Sequence, residues 1–485
     1  MKKIGLFLGL TIFILILLMP TPEGMSLSAQ KTAAVVLIMA IWWITEAIPI
    51  AVTALIPIVL YPLLGVLSSK ETTIPYANHL IFLFMGGFLI ALAMQKCNLH
   101  KRIALNIINL IGTSPDKIIL GFMIATAFLS MWISNTATIV MMIPIGMAVV
   151  GHLVPDEKIG KGNNSNFGIS LMLGLAYSAS IGGIGTLIGT PPNLVLANTL
   201  EKMYNQTLGF MEWLTIGIPI VIIMIPLIWL YLTKILYPTN KSNLKNDNGV
   251  IKNKLLELGK ISRGEKIVLT IFILTALSWI FRSTKEIGNF IIPGLDKLFP
   301  DISDATIAIF FALLLFIIPI NWKKKQFAMD WNQALKLPWG ILILFGGGLA
   351  LAKGFQVSGL ALWIGLKVNL FTGVPDIVLI LIVVTLIIFL TEMTSNTATT
   401  AMVLPILGSV AIGLGKLPML LLAPATIAAS CAFMLPVATP PNAIVFSSGY
   451  IKIHQMAKAG LFLNIISIFI VTLFTYLIII PFMIK

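Results

Sequence analysis

Apolar runs of about 17–25 residues recur from one end of this chain to the other, the length an α-helix needs to cross the hydrocarbon core of a bilayer. The runs are continuous rather than alternating at every second residue, so membrane β-strands do not fit them. With 58% hydrophobic and only 10% charged residues among 485, the chain has too little polar surface to enclose one core in water. The expected fold is therefore all-α and polytopic, with lipid as its solvent. Helical spans close their backbone hydrogen bonds internally, and irregular backbone at membrane depth is tolerated only inside protein or along a cavity.

The runs place eleven transmembrane spans near 4–20, 31–48, 51–67, 79–96, 166–200, 213–234, 267–281, 305–320, 338–356, 417–450 and 458–484. Two further stretches, 117–150 and 375–413, are each interrupted midway by a polar Ser-Asn-Thr cluster and read as re-entrant hairpins. The first run, Ile4 to Met19 behind Lys2 and Lys3, is read as a transmembrane helix, because no small-residue cleavage site of the kind that follows a leader peptide is evident.

A net charge of +14 would suggest nucleic acid in a soluble protein, but here the basic residues lie in loops, where they report orientation. With the N-terminus inside, 22 of the 32 Lys and Arg fall on the cytoplasmic side, including the stretches 96–117, 158–161, 234–266 and 323–336. The positive-inside rule thus puts the N-terminus inside and the C-terminus outside the cytoplasmic membrane. The Lys- and Asn-rich segment 238–263 reads as a cytoplasmic linker with a short amphipathic helix. It divides the chain, after a first helix and loop over 1–30, into 31–237 and 264–485. Cys97 and Cys431 have no CxxC or His neighbourhood and read as packing residues.

The two halves repeat. Phe84-Met85-Gly86-Gly87 matches Phe345-Gly346-Gly347-Gly348, and Ser134-Asn135-Thr136-Ala137-Thr138 recurs as Ser395-Asn396-Thr397-Ala398-Thr399, both at a shift of 261. Thr190-Pro191-Pro192-Asn193 recurs as Thr439-Pro440-Pro441-Asn442 at a shift of 249. An odd number of expected crossings separates the copies, so the second is expected upside down. Inverted-topology repeats are a recurring design of secondary transporters, with substrate held near the bilayer midplane between them.

The motifs suit that role chemically. Hydroxyls and amides in an apolar segment are costly to bury without partners, so the Ser-Asn-Thr clusters pair with each other, with water or with a ligand. Consecutive prolines remove backbone donors and disfavour helix at the preceding residue, so both Thr-Pro-Pro-Asn copies must break their helices. A broken helix offers free amides to an anion and free carbonyls to a cation. The glycine run from Gly182 to Gly189 allows close backbone approach, but its spacing does not fit a nucleotide loop. Ser130 and Thr391 precede the clusters by four residues, a spacing that would set their hydroxyls beside Ser134 and Ser395 on a continuous helix. Such neutral oxygens suit a hard cation like sodium. No Lys or Arg occurs in the four motifs, so a bound dianion needs co-bound cations to offset its burial. Glu392, next to Thr391, reads either as a structural partner or as a group tuning a cation site.

In these motifs, extended by Gly189 and by Ala438 with Ala443-Ile444-Val445, the sequence resembles the divalent-anion/sodium symporter family of di- and tricarboxylate transporters. The resemblance covers nearly the whole chain. It implies a homodimer with scaffold and transport domains moving as an elevator. By similarity, Ser134, Asn135, Thr136, Ser395, Asn396, Thr397, Thr439 and Pro440 would line the carboxylate site. A first sodium site would use Ser130, Ser134, Asn135 and Gly189, and a second Thr391, Ser395, Asn396 and Ala438. The family contains both sodium symporters and sodium-independent exchangers, and both readings stand at this point. The expected cargo is a C4–C5 dicarboxylate of the succinate, malate, fumarate and 2-oxoglutarate class, since the two clusters offer one donor set to each end of a short dianion. Citrate and sulfate are the alternatives. Beyond sodium as a coupling ion, no cofactor is expected. Nor is an enzyme, since the chain carries no HExxH or GxSxG motif and its four His do not cluster with carboxylates. A channel remains the rival that transport kinetics would separate.

Overall fold

The computed structural model describes residues 2–112, 114–154, 165–239, 249–287, 290–367 and 373–481. The basic stretch at 158–161 and positions 240–248 of the linker lie outside the described residues. Helices make up almost all of the fold. α1 (Lys2–Leu18), α2 (Leu27–Thr45), α3 (Ile50–Thr53), α4 (Ile56–Leu64) and α5 (Ser69–Thr73) lead into α6 (His79–Lys96), α7 (Leu99–Ile111), α8 (Pro115–Ser130), α9 (Asn135–Leu153), α10 (Asn166–Ile184), α11 (Pro191–Tyr204) and α12 (Phe210–Leu230). The short α13 (Val250–Glu257) falls in the expected linker and precedes α14 (Arg263–Ile280), α15 (Asp304–Ile317) and α16 (Trp331–Ala334). Then come α17 (Trp339–Ser358), α18 (Leu360–Lys367), α19 (Asp376–Thr391), α20 (Asn396–Gly413), α21 (Met419–Ala429), α22 (Pro440–Ser447) and α23 (Ile453–Phe474). Two small antiparallel hairpins, β1 (Lys285–Ile287) with β2 (Phe290–Ile292) and β3 (Pro319–Asn321) with β4 (Gln326–Phe327), flank α15.

Among the described residues, eight helices are long and apolar enough to cross a membrane: Leu27–Thr45, Ser69–Lys96, Asn135–Leu153, Asn166–Ile184, Phe210–Leu236, Trp339–Ser358, Asn396–Gly413 and Ile453–Ile479. Three shorter apolar helices, Asp304–Ile317, Asp376–Thr391 and Met419–Ala429, and the interrupted apolar segment Ile50–Leu64 add to them. The expected span at 51–67 is not one helix, because the chain breaks between α3 and α4, just before Pro57. The freed carbonyl of Ala54 accepts the Tyr76 hydroxyl at 2.5 Å. A Cβ on Gly347 would lie 2.4 Å from that same carbonyl oxygen, which accounts for the second glycine-rich motif. The first does the same work elsewhere: a Cβ on Gly86 would meet the Ala308 backbone at 2.7 Å, so glycine lets α6 and α15 pack closely.

The helix order α6 to α11 has a counterpart in α17 to α22: a long helix, a shorter one, two helices separated by a Ser-Asn-Thr break, and two more separated by a Thr-Pro-Pro-Asn break. α10 lies at the centre of the molecule, buried along its whole length. Its small residues allow this; a Cβ on Gly182 would come 2.3 Å from the Ala127 carbonyl oxygen on α8. Away from this core, Arg102 on α7 reaches Glu265 at 2.6 Å and the carbonyls of Leu258 and Gly259, tying α7 to the start of α14.

Candidate functional site

The expected interruptions appear as four helix starts: α9, α20, α11 and α22, each preceded by a residue with extended backbone. Thr190 (φ −144°, ψ 143°) and Thr439 (φ −140°, ψ 150°) adopt the conformation that a following proline favours, and the prolines occupy the first helical positions, where a missing N–H costs nothing. Ser134 caps α9 by accepting from the Ala137 amide at 3.3 Å, and the Thr439 hydroxyl accepts from the Asn442 amide at 3.2 Å. Ser395 occupies the corresponding N-cap of α20 but makes no side-chain capping bond. Thr136 and Pro440 are exposed, whereas Ser134, Asn135, Ser395, Asn396 and Thr397 are half-buried.

Behind these starts, the two copies build the same oxygen cluster. The Ser130 hydroxyl lies 2.7 Å from both Asn135 Oδ1 and the Ala179 carbonyl oxygen. The Thr391 hydroxyl lies 2.6 Å from Asn396 Oδ1 and 3.2 Å from the Ala429 carbonyl oxygen. Each cluster brings three oxygens together around a single hydroxyl proton, which can serve only one acceptor at a time. Excess acceptor character in a buried place is what a hard cation satisfies. The partners of Ser130 and Thr391 are thus Asn135 and Asn396, not Ser134 and Ser395 as continuous helical spacing implied. α8 ends at Ser130 and α19 at Thr391, and the turn that follows carries each serine off that face.

Gly189 joins the first cluster through Gly183. A Cβ on Gly183 would lie 2.7 Å from Asn135 Oδ1 and 3.2 Å from Thr190 Cβ, and one on Gly189 would lie 2.5 Å from the Gly183 carbonyl oxygen. On the other side, Ala438 is buried at the end of the stretch leading into α22. The copies also interlock: α11 packs against α20 and α21, and α22 against α9 and α10, so each interrupted helix finishes in the other copy's half. Tyr177 on α10 donates to the Phe433 carbonyl at 3.0 Å across that junction.

The copies also differ where α10 and α21 end. α10 remains helical to Ile184, but α21 ends at Ala429, and the chain is irregular from Ser430 to Thr439. Glu392, 3% exposed, takes up the amides so released. Its Oε1 accepts from Phe433 N at 2.7 Å, Met434 N at 2.9 Å and Asn464 Nδ2 at 2.7 Å, and its Oε2 from Leu435 N at 3.1 Å. Of its two readings from sequence, structural pairing is the one these contacts describe. At the corresponding position of the first copy stands Met131, whose carbonyl accepts the Thr186 hydroxyl. Asn193 and Asn442, the last residues of the Thr-Pro-Pro-Asn motifs, are functional candidates that the sequence motif alone gives no site role. Both are completely buried, with side chains turned back onto the break. Among the described residues no group of three or more His, Cys, Asp or Glu side chains is placed to hold a metal.

A bundle of apolar helices whose polar residues gather at paired interruptions in its interior defines a multi-pass membrane transporter. Comparison with known proteins makes the class specific: residues 1–484 match the family described as the sodium:sulfate symporter transmembrane region, and the chain belongs to that family. It is 47% identical over 478 residues to the sodium-dependent dicarboxylate transporter SdcS of Staphylococcus aureus (strain NCTC 8325), covering 98% of this chain and 91% of that one. It is 44% identical over 489 residues to SdcS of Staphylococcus saprophyticus, covering 99% and 92%. Two solved transporters share the fold at low identity. MtrF of Neisseria gonorrhoeae matches with a TM-score of 0.61 at 13% identity, over 98% of this chain and 95% of that one. YdaH of Alcanivorax borkumensis matches with a TM-score of 0.59 at 16% identity, over 84% and 86%.

Proposed function

We propose that this protein is a sodium-coupled symporter of C4–C5 dicarboxylates. The observation that carries the reading is the pair of buried three-oxygen clusters, Ser130–Asn135–Ala179 and Thr391–Asn396–Ala429, each directly behind a helix start. A dianion between the two helix starts meets amide and hydroxyl donors but no cationic side chain in the four motifs. Sodium in the clusters supplies the missing positive charge, so cation and dianion bind together. The names of the SdcS relatives support both sodium and dicarboxylate.

In this reading Ser134, Asn135, Thr136, Ser395, Asn396, Thr397, Thr439 and Pro440 contact the dicarboxylate. The first sodium is held by Ser130, Ser134, Asn135 and Gly189, and the second by Thr391, Ser395, Asn396 and Ala438. Segments 31–237 and 264–485 are inverted repeats, joined by the cytoplasmic linker 238–263 after the first helix. The N-terminus lies inside and the C-terminus outside the cytoplasmic membrane. The hairpins and interrupted helices form a transport domain that moves as an elevator against the scaffold of a homodimer.

Competition against labelled succinate uptake tests the substrate class. Malate, fumarate and 2-oxoglutarate are expected to compete at concentrations where citrate and sulfate do not. Competition by citrate and sulfate alone would overturn the assignment.

A further inference from the structure

Asn193 and Asn442 make the same unusual contact. In the first copy Asn193 Nδ2 donates to the carbonyls of Gly183 at 3.1 Å and Thr186 at 2.7 Å, and approaches that of Ile184 at 3.4 Å. In the second, Asn442 Nδ2 donates to the carbonyls of Ala432 and Leu435, both at 3.1 Å. In each copy the gripped carbonyls lie ten and seven residues before the asparagine. Each side chain therefore staples the near end of the second half-helix to the backbone that enters the break.

The match is not a by-product of similar local structure. In the first copy the gripped carbonyls belong to the last turn of α10 and the turn after it; in the second they belong to an irregular stretch that left α21 several residues earlier. Two different backbones are held by one device at the same registers. Both asparagines are 0% exposed, and the Oδ1 of each has no hydrogen-bond partner among the described residues. Burying an amide with its oxygen unpaired is costly, so the donating nitrogen must do something that an apolar side chain could not.

What it holds is the wall of each cation cluster. Gly183, whose carbonyl Asn193 grips, abuts Asn135 Oδ1 and supports Gly189. Leu435, whose carbonyl Asn442 grips, gives its amide to Glu392, the residue next to Thr391. From this we infer that Asn193 and Asn442 are positioning residues for cation binding, one for each cluster, setting the loop oxygens without contacting the ion. The inference rests on the sodium-coupled reading above.

The test uses Asn193→Leu and Asn442→Leu, which keep the branched shape and remove the donors, in purified full-length protein reconstituted into proteoliposomes. Succinate uptake is measured against sodium concentration, alongside sodium-dependent protection against heat in detergent, which reports cation binding without transport. Each variant is expected to raise the half-saturating sodium concentration by roughly tenfold in both assays, the effect of losing one or two buried hydrogen bonds. The maximal rate per folded protein at saturating sodium should stay within about twofold, because the carboxylate contacts are untouched. Folded variants with the wild-type sodium dependence would overturn the inference. Should the leucine variants fail to fold, Asn193→Ala and Asn442→Ala, which remove the donors without added bulk or charge, are read in the same way. Failure of all four to fold would also overturn it, since the asparagines would then serve only the fold. Absence of any sodium effect on the wild-type protein would instead refute the sodium-coupled reading, so the two failures are distinguishable.

Discussion

Glu392→Gln perturbs the place where the backbones of the two copies diverge, and its cost follows from the contacts. The carboxylate takes four donors, three of them converging on Oε1 and one, Leu435 N, on Oε2. A glutamine must aim its single oxygen at the group of three, which turns its own NH2 towards the Leu435 amide, donor against donor. Leaving that buried amide unpaired costs about 1–3 kcal/mol. The other three bonds lose their charge assistance, roughly half of their strength, for a further 1–2 kcal/mol or so together. A total of about 2–5 kcal/mol falls on the irregular stretch that closes the second cluster. In a protein of this size that corresponds to an apparent melting point lower by about 2–5 °C, taken as a comparative shift because unfolding of such a bundle is not two-state. Loosening the stretch beside Thr391 also disturbs the second cluster, so the half-saturating sodium concentration should rise, by about tenfold if 1.4 kcal/mol of the loss bears on binding. The assays are thermal unfolding in detergent and sodium-dependent succinate uptake in proteoliposomes. A glutamine variant melting within a degree of wild type with unchanged sodium dependence would refute the reasoning.

Other substitutions probe the remaining parts. Ser130→Ala and Thr391→Val each remove one oxygen from one cluster and should each raise half-saturating sodium by about tenfold in uptake assays, while Thr391→Ser should stay near wild type. Gly183→Ala places a Cβ 2.7 Å from Asn135 Oδ1 and should weaken sodium dependence in folded protein. Gly182→Ala, whose Cβ would meet the Ala127 carbonyl oxygen at 2.3 Å, should instead lower the folded yield, as size-exclusion profiles would show. Outside the spans, the hydrogen bond from Lys96 at 2.6 Å holds the Asp330 carboxyl below its ordinary range. A depressed carboxyl adds stability above its unfolded value and loses it as pH falls through the folded one. The melting difference between wild type and Asp330→Asn should therefore be present at pH 7 and shrink as pH falls below about 4.

What could be seen in the sequence was what local chemistry dictates. Pro191 and Pro440 break their helices wherever they stand, and the Ser-Asn-Thr clusters interrupt apolar segments too short to cross twice without them, so both kinds of break and their repetition were legible. The break between α3 and α4 was legible only in part. Pro57 removes the donor for the Thr53 carbonyl, but hydrophobicity is continuous across Ala54, and Tyr76, which takes up the Ala54 carbonyl, lies far along the chain. The early end of α21 was likewise legible only in part, since Pro436 disfavours helix at Leu435 but no Gly or Pro marks the exit at Ser430. Glu392 and Asn464, distant in sequence, compensate the amides that unwinding releases. The partners of Ser130 and Thr391 were missed by one residue, because helical spacing assumes that the helix continues and here it stops at the hydroxyl itself. Asn193 and Asn442 stood in plain view inside a repeated motif. Only the ten- and seven-residue reach of their side chains, a property of the folded break, gives them a task.

Coupling of dicarboxylate to sodium is the central claim, and uptake of labelled succinate by the purified protein in proteoliposomes tests it most directly. Vesicles with an empty lumen are compared with and without an inward sodium gradient, and again after loading with unlabelled dicarboxylate. Accumulation into empty vesicles, driven by the sodium gradient and saturating with succinate, is the predicted result. Uptake confined to loaded vesicles and indifferent to sodium would contradict the account, since the dianion would then cross without the cations that the two oxygen clusters are proposed to hold.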